Sequence, residues 1–436
     1  MHRFFRTKIE HRPGLLKILD NIGWLFFDKV LRMGVGLFVG VWVVRYLGPE
    51  QFGVLSYALT FVALFSTIAS LGLDGIVVRD IVSVPSSKDE TLGTAFVLRL
   101  AGGTVALILS IGTIFLVRPG EPIIWWLVGI TAAGMIFQAL NTIDLWFQSQ
   151  VRSKYVVYAR NIAFFLISVI KVILILAGAP LIAFALAGLA EIVIASIGLV
   201  VMYKCKGYFF SAWRISLART KSLLKDSWPL MFSSIVGIIY LRIDQIMIGN
   251  MVGDKEVGIY SAAVKLAEVW YFIPMCVLSS VLPSIVAAKA TNENLFYTRL
   301  QMFYNWMSFI SYLVAIPITF MANWIIGILF GADYVKAGPM LSLLIWAGLF
   351  INLGTARSAF LTAKNWTKIS LFSNFLGCVL NVILNLALIP KYGGMGAVIA
   401  SLISYWMATH GSCYFYKPMY RTGNMIFRSM VYPKIW

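Results

Sequence analysis

The chain is poor in the side chains that most catalysis needs. Three histidines, His2, His11 and His410, are the whole complement. The four cysteines, Cys205, Cys276, Cys378 and Cys413, lie far apart in mostly apolar surroundings. Neither set has the spacing of a metal site or a disulfide framework, so a metal enzyme or a His-based triad finds no support. Acids are scarce too, 18 against 36 Lys and Arg, and charged residues of all kinds make up only 12% of the chain. A soluble domain carries about twice that share, and no part of the 436 residues reads as one. No cleavable leader is expected either. The first twenty residues are basic and polar, with Arg3, Arg6, Lys8, Arg12 and Lys17, and no small-residue cleavage site follows.

What the chain does have is apolar sequence, 60% of its residues, with a mean hydropathy of +0.84. A hydrocarbon core of roughly 30 Å needs about 20 apolar residues per helix, and runs of that size recur from end to end. They predict an all-α integral membrane protein with about twelve spans, near 22–44, 54–73, 91–117, 123–148, 155–177, 180–202, 228–249, 257–284, 302–320, 338–358, 368–389 and 395–416. Gly48-Pro49, Pro119-Gly120 and Gly178-Ala179-Pro180 punctuate them as tight turns. The only long internal connection divides the chain into a six-helix bundle over 1–202 with a basic tail, a linker at 203–227, a second bundle over 228–416 and a tail at 417–436.

The halves resemble each other. Residues 47–58 read LGPEQFGVLSYA and 252–263 read VGDKEVGIYSAA, so Gly48, Gly53, Ser56 and Ala58 align with Gly253, Gly258, Ser261 and Ala263. Each copy follows one apolar segment and opens the next, with Gly48 and Gly253 expected to form matched turns. Paired halves are a plan that secondary transporters use to build a central site. Basic residues also alternate between loops. The loops on one side hold only Arg45, Arg118, Lys255, Lys336 and Lys391, and most other Lys and Arg, including Lys204 to Lys225 in the linker, fall on the opposite side. The positive-inside rule then places both termini in the cytoplasm. The same distribution assigns the high net charge to membrane orientation, with no nucleic-acid partner. The segment 417–436, with Lys417, Arg421, Arg428 and Lys434 among Phe427, Tyr432 and Trp436, suits a surface-lying segment on anionic lipid.

Six cations remain inside the predicted spans: Lys29, Arg32, Arg99, Lys171, Arg242 and Lys265. Each costs about 2.5–3.5 kcal/mol at a helix centre on insertion scales, so they are expected to face a wet interior. The acids of the same region are Asp28, Asp74, Asp144, Glu191, Asp244 and Glu268. Asp28 and Arg32 stand at i,i+4 and Lys265 and Glu268 at i,i+3, spacings that pair. Arg242 and Asp244, at i,i+2, point apart. Lys29, Arg99, Lys171 and Arg242 thus lack a local partner, and a staggered set of cations suits an anionic head group crossing the membrane. Pairing between helices is the structural alternative for each of them. Among the acids, Glu191 and Asp244 are the candidates for a coupling-ion site. Pro274, within span eight, permits a kink.

Several stretches resemble a known family. RYLGPEQFGVLSYALTFVALFSTIASLGLDGIVVRDI at 45–81, DLWFQSQVRSKYVVYAR at 144–160 and LRIDQIMIGNMVGDKEVGIYSAAVKLAE at 241–268 are similar to polysaccharide flippases of the Wzx (O-antigen transporter) type, and YGGMGAVIASLIS at 392–404 looks like the family's last span. The resemblance implies the fold of the multidrug/oligosaccharidyl-lipid/polysaccharide exporter superfamily: a MATE-like pair of six-helix bundles around a central cavity. It also implies a cargo, an oligosaccharide repeat unit on a polyprenyl diphosphate, moved from the cytoplasmic to the outer leaflet of the inner membrane. One departure is Tyr405, which stands where many relatives carry Glu and mirrors Glu191.

These expectations describe a transporter and not an enzyme. No cofactor is expected beyond coupling to protons or sodium ions. Partners would be the lipid-linked saccharide, membrane lipids, and a polysaccharide polymerase and glycosyltransferases, around a monomeric transport unit. A cation-coupled drug antiporter of the same superfamily is the first alternative and is expected to show unpaired acids and an aromatic cavity. A membrane-embedded glycosyltransferase or polymerase is the second, and it would need a large loop with clustered acids.

Overall fold

The computed structural model describes residues 13–434, so Arg3, Arg6, Lys8 and Arg12 of the basic tail, with His2, His11 and Trp436, lie outside the described residues. Those described form helices, with no strand among them. The first, α1 (Pro13–Ser70), is interrupted at Gly48, where φ is 68° and ψ is 172°. Glycine adopts that positive φ without a Cβ penalty, and Pro49 holds the preceding residue in an extended ψ. α1 therefore carries the first two predicted spans. Short α2 (Asp74–Ser83) leads to α3 (Lys88–Val117). The fourth span is α4 (Pro122–Phe137) and α5 (Thr142–Ser149), joined through a 3-10 turn at Gln138–Asn141. α6 (Lys154–Leu176) and α7 (Leu181–Cys205) are the fifth and sixth.

The chain then makes a 3-10 turn at Phe210–Ala212 and enters α8 (Leu217–Met251). Gly253, with φ at 125°, precedes α9 (Asp254–Glu268) and α10 (Phe272–Thr291). Gly48 and Gly253 thus both occupy the positive-φ turns expected of them. The predicted kink near Pro274 takes the form of a 3-10 turn at Val269–Tyr271. Its cause is local, because a proline ring clashes with the carbonyl four residues back, here that of Trp270. α11 (Glu293–Phe330) starts on an Asn292 cap, whose side chain accepts from the backbone N–H of Asn294 at 2.8 Å. α12 (Ala337–Lys364) ends on left-handed Asn365, and α13 (Thr367–Tyr392) and α14 (Gly394–Thr409) follow. The last span is shorter than the predicted 395–416: α14 stops at Thr409, and a 3-10 stretch, Gly411–Phe415, replaces its end. A final amphipathic helix, α15 (Tyr420–Val431), closes the chain.

Among the described residues, 10 segments are long and apolar enough to cross a membrane. The first of them, Asp28–Ser83, contains the Gly48 break and so two predicted spans, and α14 is a shorter apolar helix. Two compact units result. One comprises residues up to Tyr46 and Ala58–Ile235; the other comprises Leu47–Tyr57 and the chain from Val236 onward. Within the first unit, α6 packs on α7 and α3 on α4. Its core includes Leu73, Val77, Leu92, Phe147 and Tyr203. Within the second, α11 packs on α12 around Phe296, Tyr304, Leu353 and Phe360, and α13 packs on α14.

The two repeat segments meet inside the second unit. A Cβ on Gly53 would lie 1.7 Å from the carbonyl oxygen of Asp254, and one on Gly258 would lie 1.9 Å from that of Pro49. The crossing is reciprocal, and only glycine permits backbones this close.

Candidate functional site

In the first unit, cations and acids collect near the ends of α1, α2, α3, α5 and α6. Arg32 pairs with Asp28 as its i,i+4 spacing predicts, at 3.3 Å, and it also donates to the carbonyl of Arg160 at 2.7 Å and to Asn161 Oδ1 at 3.2 Å. Arg160 in turn pairs with Asp144 at 2.8 Å. Arg99 forms a salt bridge with Asp74, the first residue of α2. The two partners are unequal: the Arg99 side chain is 4% exposed and that of Asp74 is 67% exposed. The Nε–H of Arg99 is buried without a partner. Two cavities open on this cluster. One of about 320 Å³ is lined by Ser70, Asp74, Arg99, Gln138 and Asn141, and one of about 410 Å³ by Asp28, Ser153 and Val157; both share Asp144, Gln148 and Arg160. Farther along α6, Lys171 meets Glu191 of α7 at 3.5 Å, both about three-quarters buried.

In the second unit, Arg242 of α8 pairs with Glu268 at the end of α9, at 3.1 Å. Lys265 lies on α9 one turn before Glu268 and is half-buried. Asp244, two residues beyond Arg242, points elsewhere. It is 2% exposed and accepts from three neutral donors: Tyr260 Oη at 2.8 Å, Asn385 Nδ2 at 2.6 Å and Ser401 Oγ at 2.5 Å. No Lys or Arg stands within ion-pair distance of Asp244 among the described residues. Asn385 Oδ1, Asn381 Nδ2 and Ser261 Oγ are buried without a partner. A buried carboxylate with no cationic partner is stabilised by whatever neutralises it, beyond what its hydrogen bonds supply. A proton or a monovalent cation would do so, and the oxygens of Asp244, Ser401, Tyr260 and Asn385 offer hard ligands of the kind such a cation takes.

Lys29, Arg99, Lys171 and Arg242 have no partner on their own helices, and for three of them the structure shows the between-helix pairing that was the structural alternative. Arg99, Lys171 and Arg242 are each paired across helices, with Asp74, Glu191 and Glu268. Lys29 alone of the four is exposed and makes no ion pair among the described residues. Spacing arithmetic finds partners on one helix, and every one of these partners sits on another. Two further cations, Arg160 and Arg357, fall just inside the ends of the predicted spans 155–177 and 338–358 and count there with the basic residues of the flanking loops. Arg160 lines both cavities. Arg357 is 4% exposed on α12 and donates to Ser412 Oγ at 2.8 Å, with no carboxylate in ion-pair range among the described residues. Tyr405 is buried, its ring 4.9 Å from that of Tyr240, and packs where a Glu was looked for.

Comparison with known proteins places this arrangement. The chain is 26% identical over 198 residues to the probable low-salt glycan biosynthesis flippase Agl15 of Haloferax volcanii, covering 44% of this chain and 41% of Agl15. It is 23% identical over 388 residues to the probable flippase AglR of the same organism, covering 87% of this chain and 79% of AglR. The chain spans about half the length of the first curated relatives it matches. Among solved structures, the lipid II flippase MurJ in an inward closed conformation superposes with a TM-score of 0.72 at 16% identity, covering 95% of this chain and 91% of that one. An inward-facing MATE family multidrug transporter likewise superposes with a TM-score of 0.72 at 15% identity, covering 92% of this chain and 99% of that one, and together these likenesses show a MATE-like all-α membrane fold. The MatE family matches residues 229–387. The family described as polysaccharide biosynthesis protein matches residues 18–289, more than half of the chain, and the chain belongs to that family.

Proposed function

We propose that the protein is a flippase. It carries an oligosaccharide repeat unit on a polyprenyl diphosphate from the cytoplasmic to the outer leaflet for surface polysaccharide biosynthesis, by alternating access. Family membership and the names of Agl15 and AglR support the reading. One observation carries it: Arg99 is a buried guanidinium on a polar cavity, with a spare Nε–H and a single, mostly exposed carboxylate as partner. A diphosphate can take the unused donors of such a group, since guanidinium and phosphate oxygens match in geometry. Lys171 and Arg242, each in a partly exposed pair, are the next cations that can trade a carboxylate for a phosphate, with Lys29, Arg32 and Lys265 completing the set. Asp244 is the proposed coupling-ion site, for a proton or sodium, with Glu191, paired to Lys171, as the other candidate. Both termini are assigned to the cytoplasmic face of the inner membrane, on the distribution of basic residues alone. A polymerase and glycosyltransferases are the proposed neighbours in the pathway, and the transport unit is taken as a monomer.

Asp244 also favours a second reading, a cation-coupled antiporter of small molecules. An acid without a basic partner beside Tyr260 is what that chemistry uses. Reconstitution separates the two. Proteoliposomes holding the full chain and a labelled polyprenyl-diphosphate oligosaccharide are expected to move label between leaflets, and Arg99→Gln protein is expected to fail. Movement of an organic cation with no movement of the labelled lipid would favour the antiporter.

A further inference from the structure

The end of the chain builds a pocket that the flippase reading leaves unused. α15 lies on the first turns of α11, and side chains of α11 hold the main chain of this segment. Gln301 Nε2 donates to the carbonyl of Met425 at 3.1 Å, Asn305 Nδ2 to that of Lys434 at 2.6 Å, and Tyr312 Oη to that of Met430 at 2.5 Å. Between the two helices is a pocket of about 580 Å³, lined by Tyr297, Gln301, Asn305, Arg421, Arg428 and Lys434 among others, with no Asp or Glu in its wall among the described residues. Arg421 rests over the Tyr297 ring at 3.5 Å, a contact that orders the guanidinium while leaving its charge uncompensated. The nearby acid Glu293 is occupied by Lys364 at 3.7 Å.

The rest of α15 says what kind of anion fits. Its inner face is Thr422, Gly423, Ile426 and Ser429, all buried. Its outward face shows Phe427 and Val431 beside the arginines, and Tyr432 follows, all exposed. Apolar side chains next to a basic stripe are the pattern of a helix lying in a membrane interface. α11 marks the level, because the polar positions Asn294, Thr298, Arg299, Gln301 and Asn305 of its first turns give way to a more apolar run that begins at partly exposed Trp306, an interfacial residue type.

We propose that this pocket is a binding site for the phosphodiester head group of an anionic phospholipid. Arg421, Arg428 and Lys434 hold the head group, Asn305 and Gln301 form the pocket floor, and Phe427 and Val431 lie against the acyl chains. None of its lining residues belongs to the two cavities around Arg99 and Arg160, and nothing in the proposal depends on the flippase reading.

Native mass spectrometry of the detergent-solubilised full chain tests this with phosphatidylglycerol, phosphatidylcholine and inorganic phosphate as probes. Wild type is expected to retain phosphatidylglycerol about tenfold over phosphatidylcholine, since like cations near a surface add together. Arg421→Gln/Arg428→Gln/Lys434→Gln is expected to lose most of that preference, and Arg421→Lys/Arg428→Lys to keep it. Millimolar inorganic phosphate is expected not to displace the lipid, and Phe427→Ser is expected to weaken lipid retention. Should the triple variant not fold, Arg428→Gln alone is expected to reduce the preference severalfold. An unchanged preference in either Gln variant overturns the proposal. Displacement by phosphate, with Phe427→Ser without effect, would reassign the pocket to a free phosphate and overturn the lipid.

Discussion

Arg99 and Asp244 pose opposite problems in a low-dielectric interior. Arg99 is a buried cation whose acid stands mostly in water, so removing the cation strands nothing. Arg99→Gln is therefore expected to keep its yield and thermal midpoint while lipid-linked saccharide transport falls at least tenfold. Asp74→Asn leaves the buried guanidinium without its acid and is expected to lower the midpoint more, though by less than the roughly 3–5 kcal/mol of a fully buried broken pair. Thermal unfolding in detergent, measured beside transport, checks both. Asp244 is a buried anion held by three neutral donors. Asp244→Asn keeps the shape and removes the charge, so transport is expected to lose its dependence on an imposed proton or sodium gradient. Proteoliposomes with and without a gradient decide it. The sequence indicated several charges within apolar runs, because a lone Arg there is visible at once, but it assigned Arg160 and Arg357 to the loops. It did not show what each one meets. Asp74 to Arg99, Glu191 to Lys171 and Glu268 to Arg242 are contacts made by packing between helices, and helical spacing has no access to them.

Helices obey local rules here wherever glycine or proline sets them. The Gly48 and Gly253 turns and the 3-10 turn ahead of Pro274 are each caused by one or two residues that can be read directly. The end of α14 was misplaced because apolar residues continue past Thr409 into the 3-10 stretch, and composition alone does not distinguish the two. Less legible was which glycine of each repeat matters. A Cβ on Gly48 or Gly253 meets open space, whereas one on Gly53 or Gly258 runs into a backbone carbonyl. Gly53→Ala and Gly258→Ala are thus expected to destabilise by about 1–3 kcal/mol, the usual cost of overpacking. Gly48→Ala, which strains only the turn, is expected to cost about 1–3 kcal/mol, since its φ and ψ lie in a region essentially reserved to glycine, and to leave the helix crossing intact. Because the crossing is reciprocal, the Gly53 and Gly258 variants are expected to behave alike. Fluorescence-detected gel filtration after heating orders the three.

At the scale of the molecule, the account rests on a membrane fold of paired halves and on membership in the polysaccharide biosynthesis protein family. The fold follows from apolar segments repeated along the chain and the echo of 47–58 in 252–263, and the family from stretches such as 45–81 and 241–268, all of them visible in the sequence. Cargo and direction are chemistry of the site, and they are where a test bears hardest. The most direct measurement is the leaflet distribution of polyprenyl-diphosphate-linked oligosaccharide in sealed spheroplasts of a strain lacking the gene. It is read with a membrane-impermeant glycan label before and after the spheroplasts are opened. The expected result is saccharide that accumulates and becomes labelled only on opening, corrected by the wild-type gene and left uncorrected by Arg99→Gln. Saccharide that reaches the outer leaflet at the normal rate without the gene, with no other carrier induced, would contradict the account.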